Sequence, residues 1–291
     1  MNAIHVENPG LLSSVQDAGR PGFASLGVPR GGASDQASLR LLHSLLGNDP
    51  AAAAIETTLT GAVFRFGCDA PFALAGAPAE AWVDSAQGSR PVPFYSVLHA
   101  RAGDSLRILH TTDGVRTYLA IAGSIDTPVA MGSRSTHIAA GFPIAALRAG
   151  DQIPISPRTC PCRAIDAGTA ADHERAVNRT NLRVRPGPHA PLLPDAFDAL
   201  LAATFTIGSD SNRAGVRLRA DIPVAPHSFS LLTIPTAPGF VQLPPSGQPI
   251  ILGRDHPTTG GYPVIASIVH ADIDAIGQLR PGRPVRFIRV T

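Results

Sequence analysis

The 291-residue sequence predicts a mostly β protein built as two tandem β-rich domains with a few short helices. Three observations carry that prediction. The chain holds 28 Gly and 28 Pro, residues that weaken helices or remove a helix donor. Its apolar residues come in short runs broken by turn chemistry, not in long 3.6-residue periods. A turn phrase also recurs ahead of an apolar run: Arg101-Ala-Gly-Asp104, Arg148-Ala-Gly-Asp151 and Arg280-Pro-Gly-Arg283. It falls near the end of each half of the chain and reads as a tight turn feeding a closing strand. At 44% hydrophobic and 16% charged residues, there is apolar material for two ordinary cores.

Taken in order, residues 4–14 read as a strand. A stretch punctuated by Gly19, Gly22, Gly27, Pro29 and Gly31 then predicts an ordered loop, because its residues are too φ-permissive or φ-fixed for helix. A helix follows, with Ser34 and Asp35 as caps, Ala37, Leu41 and Leu45 at i, i+4, i+8, and Gly47-Asn48 as its stop. Strands are predicted at 62–66, 72–75, 96–99, 105–110, 117–122 and 152–155. Residues 157–181, with Pro157, Cys160, Pro161 and mixed charge, suit a linker between domains at 1–156 and 182–291. The second domain opens with a strand at 182–184 and a helix at 196–205. Strands follow at 216–218, 229–234, 241–243, 249–252, 264–269 and 285–290.

Composition excludes several chemistries. All 24 basic residues are arginine, so there is no amine nucleophile, Schiff base or phosphate-loop lysine. A net charge of +2 without a basic block argues against nucleic acid. Three cysteines, with Cys160 and Cys162 separated by one proline, imply no disulfide framework and no zinc knuckle. The ten histidines show no i, i+4 pair and no metal-ligand spacing, so no metal site is expected. No signal-like start and no run of 18 apolar residues is seen, which implies a cytoplasmic protein without membrane contact.

Polar residues in the loops supply the candidate site. Gln16, Asp17 and Arg20 bring an amide, a carboxylate and a guanidinium into one glycine-rich loop, a set suited to fixing a planar amide. The alternative is an Asp–Arg pair that only folds the loop. Gly31, Gly32 and Asp35 precede a helix and offer either backbone donors to an anion or plain capping. Ser133, Arg134 and Ser135 read as an anion clamp or as a surface turn; without a Gly-x-Ser-x-Gly setting, neither serine is a nucleophile candidate. Asp255, Thr258, Thr259, Gly260, Gly261 and Tyr262, together with His256, form the densest polar patch of the second half, at once a turn and a candidate binding loop. Gln242 is a polar residue in an apolar strand, and Asp272 and Gln278 are similarly ambiguous.

Several ordered motifs resemble one family. They are Asn8-Pro-Gly-Leu11, Ser14-Val-Gln-Asp17, Gly27-Val-Pro29 and Gly31-Gly-Ala33; then Gly114 to Gly123 and Met131-Gly-Ser-Arg-Ser-Thr136; then Asn212-Arg-Ala-Gly-Val-Arg-Leu218, Gly239 to Pro245 and Thr258-Thr-Gly-Gly-Tyr-Pro263. Over nearly the whole chain these resemble the biotin-dependent carboxyltransferase family, also called allophanate hydrolase subunit 2. The resemblance implies two cyclophilin-like β-barrel domains. Among family members are the C subunit of bacterial ATP-dependent 5-oxoprolinase, the carboxyltransferase part of urea carboxylase and a sporulation-related antagonist. The leading expectation is the first. It implies a lactam substrate held in a cleft of Gln16, Asp17, Arg20, Arg134, Arg213, Gln242 and the 258–262 loop. It also implies ATP shared with the complex, and two 5-oxoprolinase partners: a B subunit like allophanate hydrolase subunit 1, and an A subunit that is a lactam-utilisation protein. The alternative, carboxyl transfer to a urea-type or allophanate-type substrate, implies carboxybiotin on a separate carrier, since the chain has no lysine to biotinylate. A third reading is a non-catalytic partner-binding regulator. Ile234 stands where family members often have glutamate, which removes one candidate acid or base and points to work done only within a complex.

Overall fold

A computed structural model describes residues 2–161, 164–220 and 231–290. Two compact units emerge, one of residues 1–20 and 31–175 and the other of residues 21–30 and 176–291. Each is built mainly of strands.

In the first unit a seven-stranded sheet runs in the order Gly123–Ile125, Gln152–Pro157, Ala3–Pro9, Ala62–Phe66, Ser105–Thr111, Ala79–Ser85, Gly88–Pro91. A five-stranded sheet runs Leu12–Gln16, Ala54–Thr58, Arg116–Ile121, Ala70–Gly76, Leu98–Ala100. Their inner faces share one core, in which Ile4, Phe64, Phe66 and Leu106 of the first sheet meet Val15, Ile55, Phe72 and Leu119 of the second. The Ala70–Gly76 strand is buried along its whole length because both its faces are covered. Phe72 and Leu74 point into that core. Ala73 and Ala75 turn the other way, and their small size lets the Gln36–Leu46 helix seat Leu39, Leu42 and Leu46 against the sheet. Asp35 caps this helix through Ser38 N at 2.9 Å, and Gly47 ends it in the left-handed region.

His43 lies on the same helix and is fully buried. Burial holds its imidazole far below the ordinary value of 6.5, at about 4. The neutral form is therefore the one the fold accepts. Unfolded His43 takes up its proton near pH 6.5 while the folded residue resists until about pH 4, so stability is full above pH 6.5 and falls between these limits. We expect a loss of about 3 kcal/mol across that window. Urea melts of the wild type and of His43→Gln at pH 7 and pH 4.5 test it: the pH-dependent gap shrinks in the variant if His43 is the source.

The second unit is a closed seven-stranded barrel in the order Asn181–Pro186, Val264–Ile268, Phe240–Gln242, Ile250–Leu252, Gly215–Arg219, Phe205–Ile207, Pro284–Arg289. Its first and last strands close the barrel in parallel, with Leu182 opposite Phe287 and Val184 opposite Arg289. Leu182, Val184, Leu218, Val241, Ile251 and Ile265 fill the interior, and the Pro194–Ala202 helix adds Phe197 and Leu200. Phe205 and Phe287 meet edge-on at 5.9 Å between centroids. Asp272 ties the first strand down, accepting from Arg183 N at 2.8 Å and from the Arg183 and Arg179 guanidinium groups at 2.6 and 2.5 Å.

The recurring phrase does form one kind of turn. Gly103, Gly150 and Gly282 sit at φ of 94°, 93° and 82°, and the fourth residue's N–H bonds the first residue's carbonyl at 3.0 to 3.1 Å. In the first two copies the aspartate side chain accepts from the backbone N–H of the leading arginine. The copies precede the strands Ser105–Thr111, Gln152–Pro157 and Pro284–Arg289.

Some element boundaries differ from the sequence reading. Residues 4–14 are two strands, with Gly10 turning between them. The helix expected at 196–205 is Pro194–Ala202, started by proline in the first turn, while Phe205 opens a strand. Residues 96–99 hold only the start of Leu98–Ala100. The stretch expected to be a periodless linker contains a helix at Ala167–Val177. Of the strand expected at 229–234, residues 229–230 lie outside the described residues, 231–233 are not strand, and only Ile234 is, in the short strand Ile234–Pro235. Cys162 also lies outside them, and Cys68 and Cys160 are free thiols.

Candidate functional site

The predicted polar residues fall into two centres, one in each unit. In the first unit the turn at the end of the Leu12–Gln16 strand delivers Asp17 to the 131–136 loop. Asp17 Oδ1 accepts from Ser133 Oγ at 2.7 Å, Ser135 Oγ at 2.5 Å and Gly19 N at 2.7 Å, and Oδ2 accepts from Arg134 N at 2.6 Å. Its own N–H donates to Ser135 Oγ at 2.9 Å. Four donors occupy the lone-pair directions of one buried carboxylate. Gln16 donates to Ser14 Oγ and to Thr136 O at 2.9 and 3.0 Å. Arg20, also buried, donates to Ser135 O and lies over the Phe142 ring at 5.6 Å. Arg134 sends its guanidinium to Thr127 O. Gln16, Asp17, Arg20, Ser133, Arg134 and Ser135 are thus brought together, chiefly by bonds that shape the loop.

Gly31, Gly32 and Asp35 belong to a second, adjoining network. A Cβ on Gly32 would lie 2.9 Å from Gly19 N, so glycine lets the two loops touch. Here the structure adds residues that the sequence reading does not find. Glu56 Oε2 accepts from Ser34 N and from Tyr118 Oη, each at 2.8 Å, and Arg116 Nε lies 3.3 Å from Oε1. Asp35 N donates to Tyr118 Oη at 2.9 Å, and Ser38 Oγ donates to Asp35 Oδ2 at 2.5 Å. Burial, and after it the charges of Glu56 and Asp35, push the Tyr118 hydroxyl well above its ordinary value. Tyr118 therefore works as a neutral bridge between the two acidic segments. The available signal is charge in an apolar strand: Glu56 follows Ala54-Ile55, and Arg116 and Tyr118 share a strand with Leu119 to Ile121.

In the second unit, Arg213 and Asp255 form a bidentate pair at 2.8 Å (Nε–Oδ2) and 3.0 Å (NH2–Oδ1), both side chains buried. Next to Asp255, His256 sets Nδ1 at 2.7 Å from Pro257 O and 3.0 Å from Thr236 Oγ1. Burial lowers the His256 value, so its imidazole is neutral at pH 7. The two-residue strands Ile234–Pro235 and Thr259–Gly260 pair, which brings Gly260 over the barrel strand that carries Gln242. Gln242 is buried, whereas Tyr262 is 46% exposed and Thr258, Thr259 and Gly261 lie at or near the surface. Gln278 is buried and Asp272 is spent on its arginines.

Among the described residues no group of three His, Cys, Asp or Glu side chains could hold a metal, and no helix is long and apolar enough to cross a membrane. A groove of about 500 Å³ in the first unit is lined by Thr127, Pro128 and residues 144–148 and 151–154, none of them a predicted site residue.

The chain is similar over its length to several known proteins. It is 37% identical to the C subunit of 5-oxoprolinase from Escherichia coli over 98% of this chain and 91% of that one. It is 28% identical to urea amidolyase of Saccharomyces cerevisiae, over 98% of this chain but 16% of the yeast protein. Among solved structures, TTHA0988 superposes with a TM-score of 0.87 at 32% identity, covering 99% of this chain and 55% of the other, so the chain spans little more than half of that protein. Urea carboxylase of Kluyveromyces lactis superposes at 0.82, with 25% identity, over 99% of this chain and 27% of that one. The family model for the carboxyltransferase domain, subdomains A and B, matches residues 26–289. This chain belongs to the carboxyltransferase domain family, subdomains A and B.

Proposed function

We infer that this chain is the C subunit of a bacterial 5-oxoprolinase, holding the lactam while partner subunits complete the ring opening to glutamate. One observation carries the reading: its match to a 5-oxoprolinase subunit runs end to end through both proteins, whereas the urea amidolyase match occupies a small part of a much longer chain. The chain's own chemistry supports a positioning role. Asp17 is taken up by four donors, Arg213 by Asp255, and no lysine is present.

The ATP that drives lactam opening finds little to bind in these two centres. Arg20 is engaged by Ser135 O and Phe142, Arg134 by Thr127 O, Arg213 by Asp255 and Arg254 by Asp274. A triphosphate needs several uncommitted cations or a backbone cradle with lysine. In this reading the phosphoryl step and its nucleotide are assigned to the A and B partners. The same holds for carboxybiotin, whose carrier has to be another protein.

The test is reconstitution. The chain co-purified with its A and B partners should hydrolyse ATP only when 5-oxoproline is supplied, and omission of this chain should abolish that dependence. Hydrolysis that responds to urea and bicarbonate instead would replace the reading with the carboxyl-transfer one.

A further inference from the structure

The first unit, unlike the second, is not closed into one barrel: its two sheets stay separate. Along the Leu12–Gln16 edge of the five-stranded sheet, Thr136 N donates to Val15 O at 2.9 Å and Leu147 N to Ser13 O at 2.8 Å. On the seven-stranded sheet, Gly123–Ile125 pairs only residues 155–157 of the Gln152–Pro157 strand. Between residues 144–148 and 151–154 lies the groove of about 500 Å³, with Pro128, Ile144, Leu147, Ile153 and Pro154 in its walls.

The strand beside this groove keeps an open backbone edge. Residues 151 and 155 face the Ala3–Pro9 side, where Asp151 O accepts from Val6 N at 2.9 Å and Ile155 N donates to Asn2 O at 3.0 Å. Alternate residues face the other way. There Asp126 N donates to Pro154 O at 2.8 Å, but opposite the next outward position, Gln152, the chain has reached Pro128, which has no N–H. Gln152, itself in the groove wall, is therefore a point where a further strand can be added.

Apolar surface continues along the neighbouring loop. Of the nine large apolar side chains exposed among the described residues, Val129, Met131 and Phe142 fall within fourteen positions. Scattered singly they would need no explanation, but clustered beside a groove they mark an interaction surface. Met131 is also held against its backbone preference. Ala130 and Ser133 exchange backbone hydrogen bonds at 2.9 and 3.1 Å around Met131 and Gly132, whose φ values are 53° and 75°. Such a turn favours Asn or Gly where methionine stands, and strain of this kind gathers at binding sites. Asp17, bonded to Ser133 and Ser135, fixes the turn.

Charge selects the occupant. Residues 127–150 contain Arg134, Arg148 and His137 but no Asp or Glu. The Arg134 guanidinium goes to the Thr127 carbonyl, and among the described residues neither arginine forms an ion pair. The flanking acids are tied to their own chain, Asp126 to the Ser124 and Ser156 hydroxyls and Asp151 to Arg148 N. A second copy meeting this face would set arginine against arginine, and two arginines are too few to hold an anionic membrane. An acidic polypeptide with apolar side chains matches both the charge and the walls.

We propose that the groove takes an extended, acidic segment of a partner subunit, its backbone added at Gln152 and its apolar side chains set against Pro128, Val129 and Ile144. This rests on the multi-subunit reading above for the existence of that partner.

Calorimetric titration of each partner subunit, A and B, against the full chain tests the surface. One of them should bind the wild type. Val129→Glu and Ala145→Glu should each weaken that binding about 10-fold or more, because they set a carboxylate into the apolar wall. Arg148→Glu should weaken it roughly 3- to 10-fold, and added salt should cost this variant less than the wild type. All three positions are exposed, so melting temperatures should stay within about 2 °C of the wild type. Unchanged affinity in all three variants, or no binding by either subunit, overturns the proposal. So does a wild-type dimer in sedimentation that Val129→Glu dissociates, or binding to phosphatidylglycerol vesicles that Val129→Glu abolishes while the subunits still bind. If the variants lose the partner but the reconstituted wild-type complex ignores 5-oxoproline, the functional reading falls and the surface stands. If the variants keep the partner and the wild-type complex turns 5-oxoproline over, the surface falls and the reading stands.

Discussion

Replacing Asp17 with alanine should unfold the first unit at a temperature about 6–20 °C lower than the wild type. The substitution strips the acceptor from Ser133 Oγ, Ser135 Oγ, Gly19 N and Arg134 N at once. Each buried donor left unmade costs about 1–3 kcal/mol, and the two hydroxyls recover part of that by rotating, so about 3–5 kcal/mol is expected in total. Asp17→Asn keeps one acceptor oxygen but turns an NH2 group toward donors, and should lose about half as much. Scanning calorimetry measures both, and an unchanged melting temperature for the alanine variant would refute the anchoring role. Activity separates anchoring from chemistry. If Asp17 only shapes the loop, the folded Asn variant in the complex stays within about tenfold of wild type, whereas loss of an acid or base costs about 10²–10⁴-fold.

How far such a site can be read in the sequence depends on whether its partners are local. Gln16, Asp17 and Arg20 stand together in the chain, and so do Ser133, Arg134 and Ser135, so each group is visible as a cluster. That the two clusters are one is not visible, because the link is a set of hydrogen bonds between residues more than 110 positions apart. The Glu56–Tyr118 bridge is harder still to foresee: each residue looks like an ordinary strand position until the Leu12–Gln16, Ala54–Thr58 and Arg116–Ile121 strands align. Arg213 and Asp255 each stand out in the sequence, but nothing local pairs them. Gln242 is conspicuous for its polarity, yet the place of its side chain depends on a missing Cβ at Gly260, eighteen positions on.

The fold itself is more legible, because period and turn chemistry are local. The alternating burial of Ala62–Phe66 and the three copies of the Gly-centred turn match their sequence signals directly. The Ala167–Val177 helix is hidden because its apolar face is thin: Val177 is its only buried residue among those described, and the rest is alanine and charge. Such a helix is selected by what it packs on, here Ala170 against the cluster around Leu39 and Tyr95, and not by its own stripe. Seven-strand closure of the second unit is likewise beyond a reading by period, since the parallel seam joins residues about a hundred positions apart.

Breaking the Arg213–Asp255 pair should have the largest effect in the second unit. Both side chains are almost wholly removed from water, so Arg213→Ala or Asp255→Ala leaves one buried charge without its partner. That situation costs about 3–5 kcal/mol, on the order of 10–20 °C in melting temperature for a unit of this size. The double variant Arg213→Met/Asp255→Leu removes both charges and should return most of that stability, because a buried pair is worth little against apolar packing. A thermodynamic cycle across the four proteins measures the coupling, and additive losses in the double variant would sink the argument.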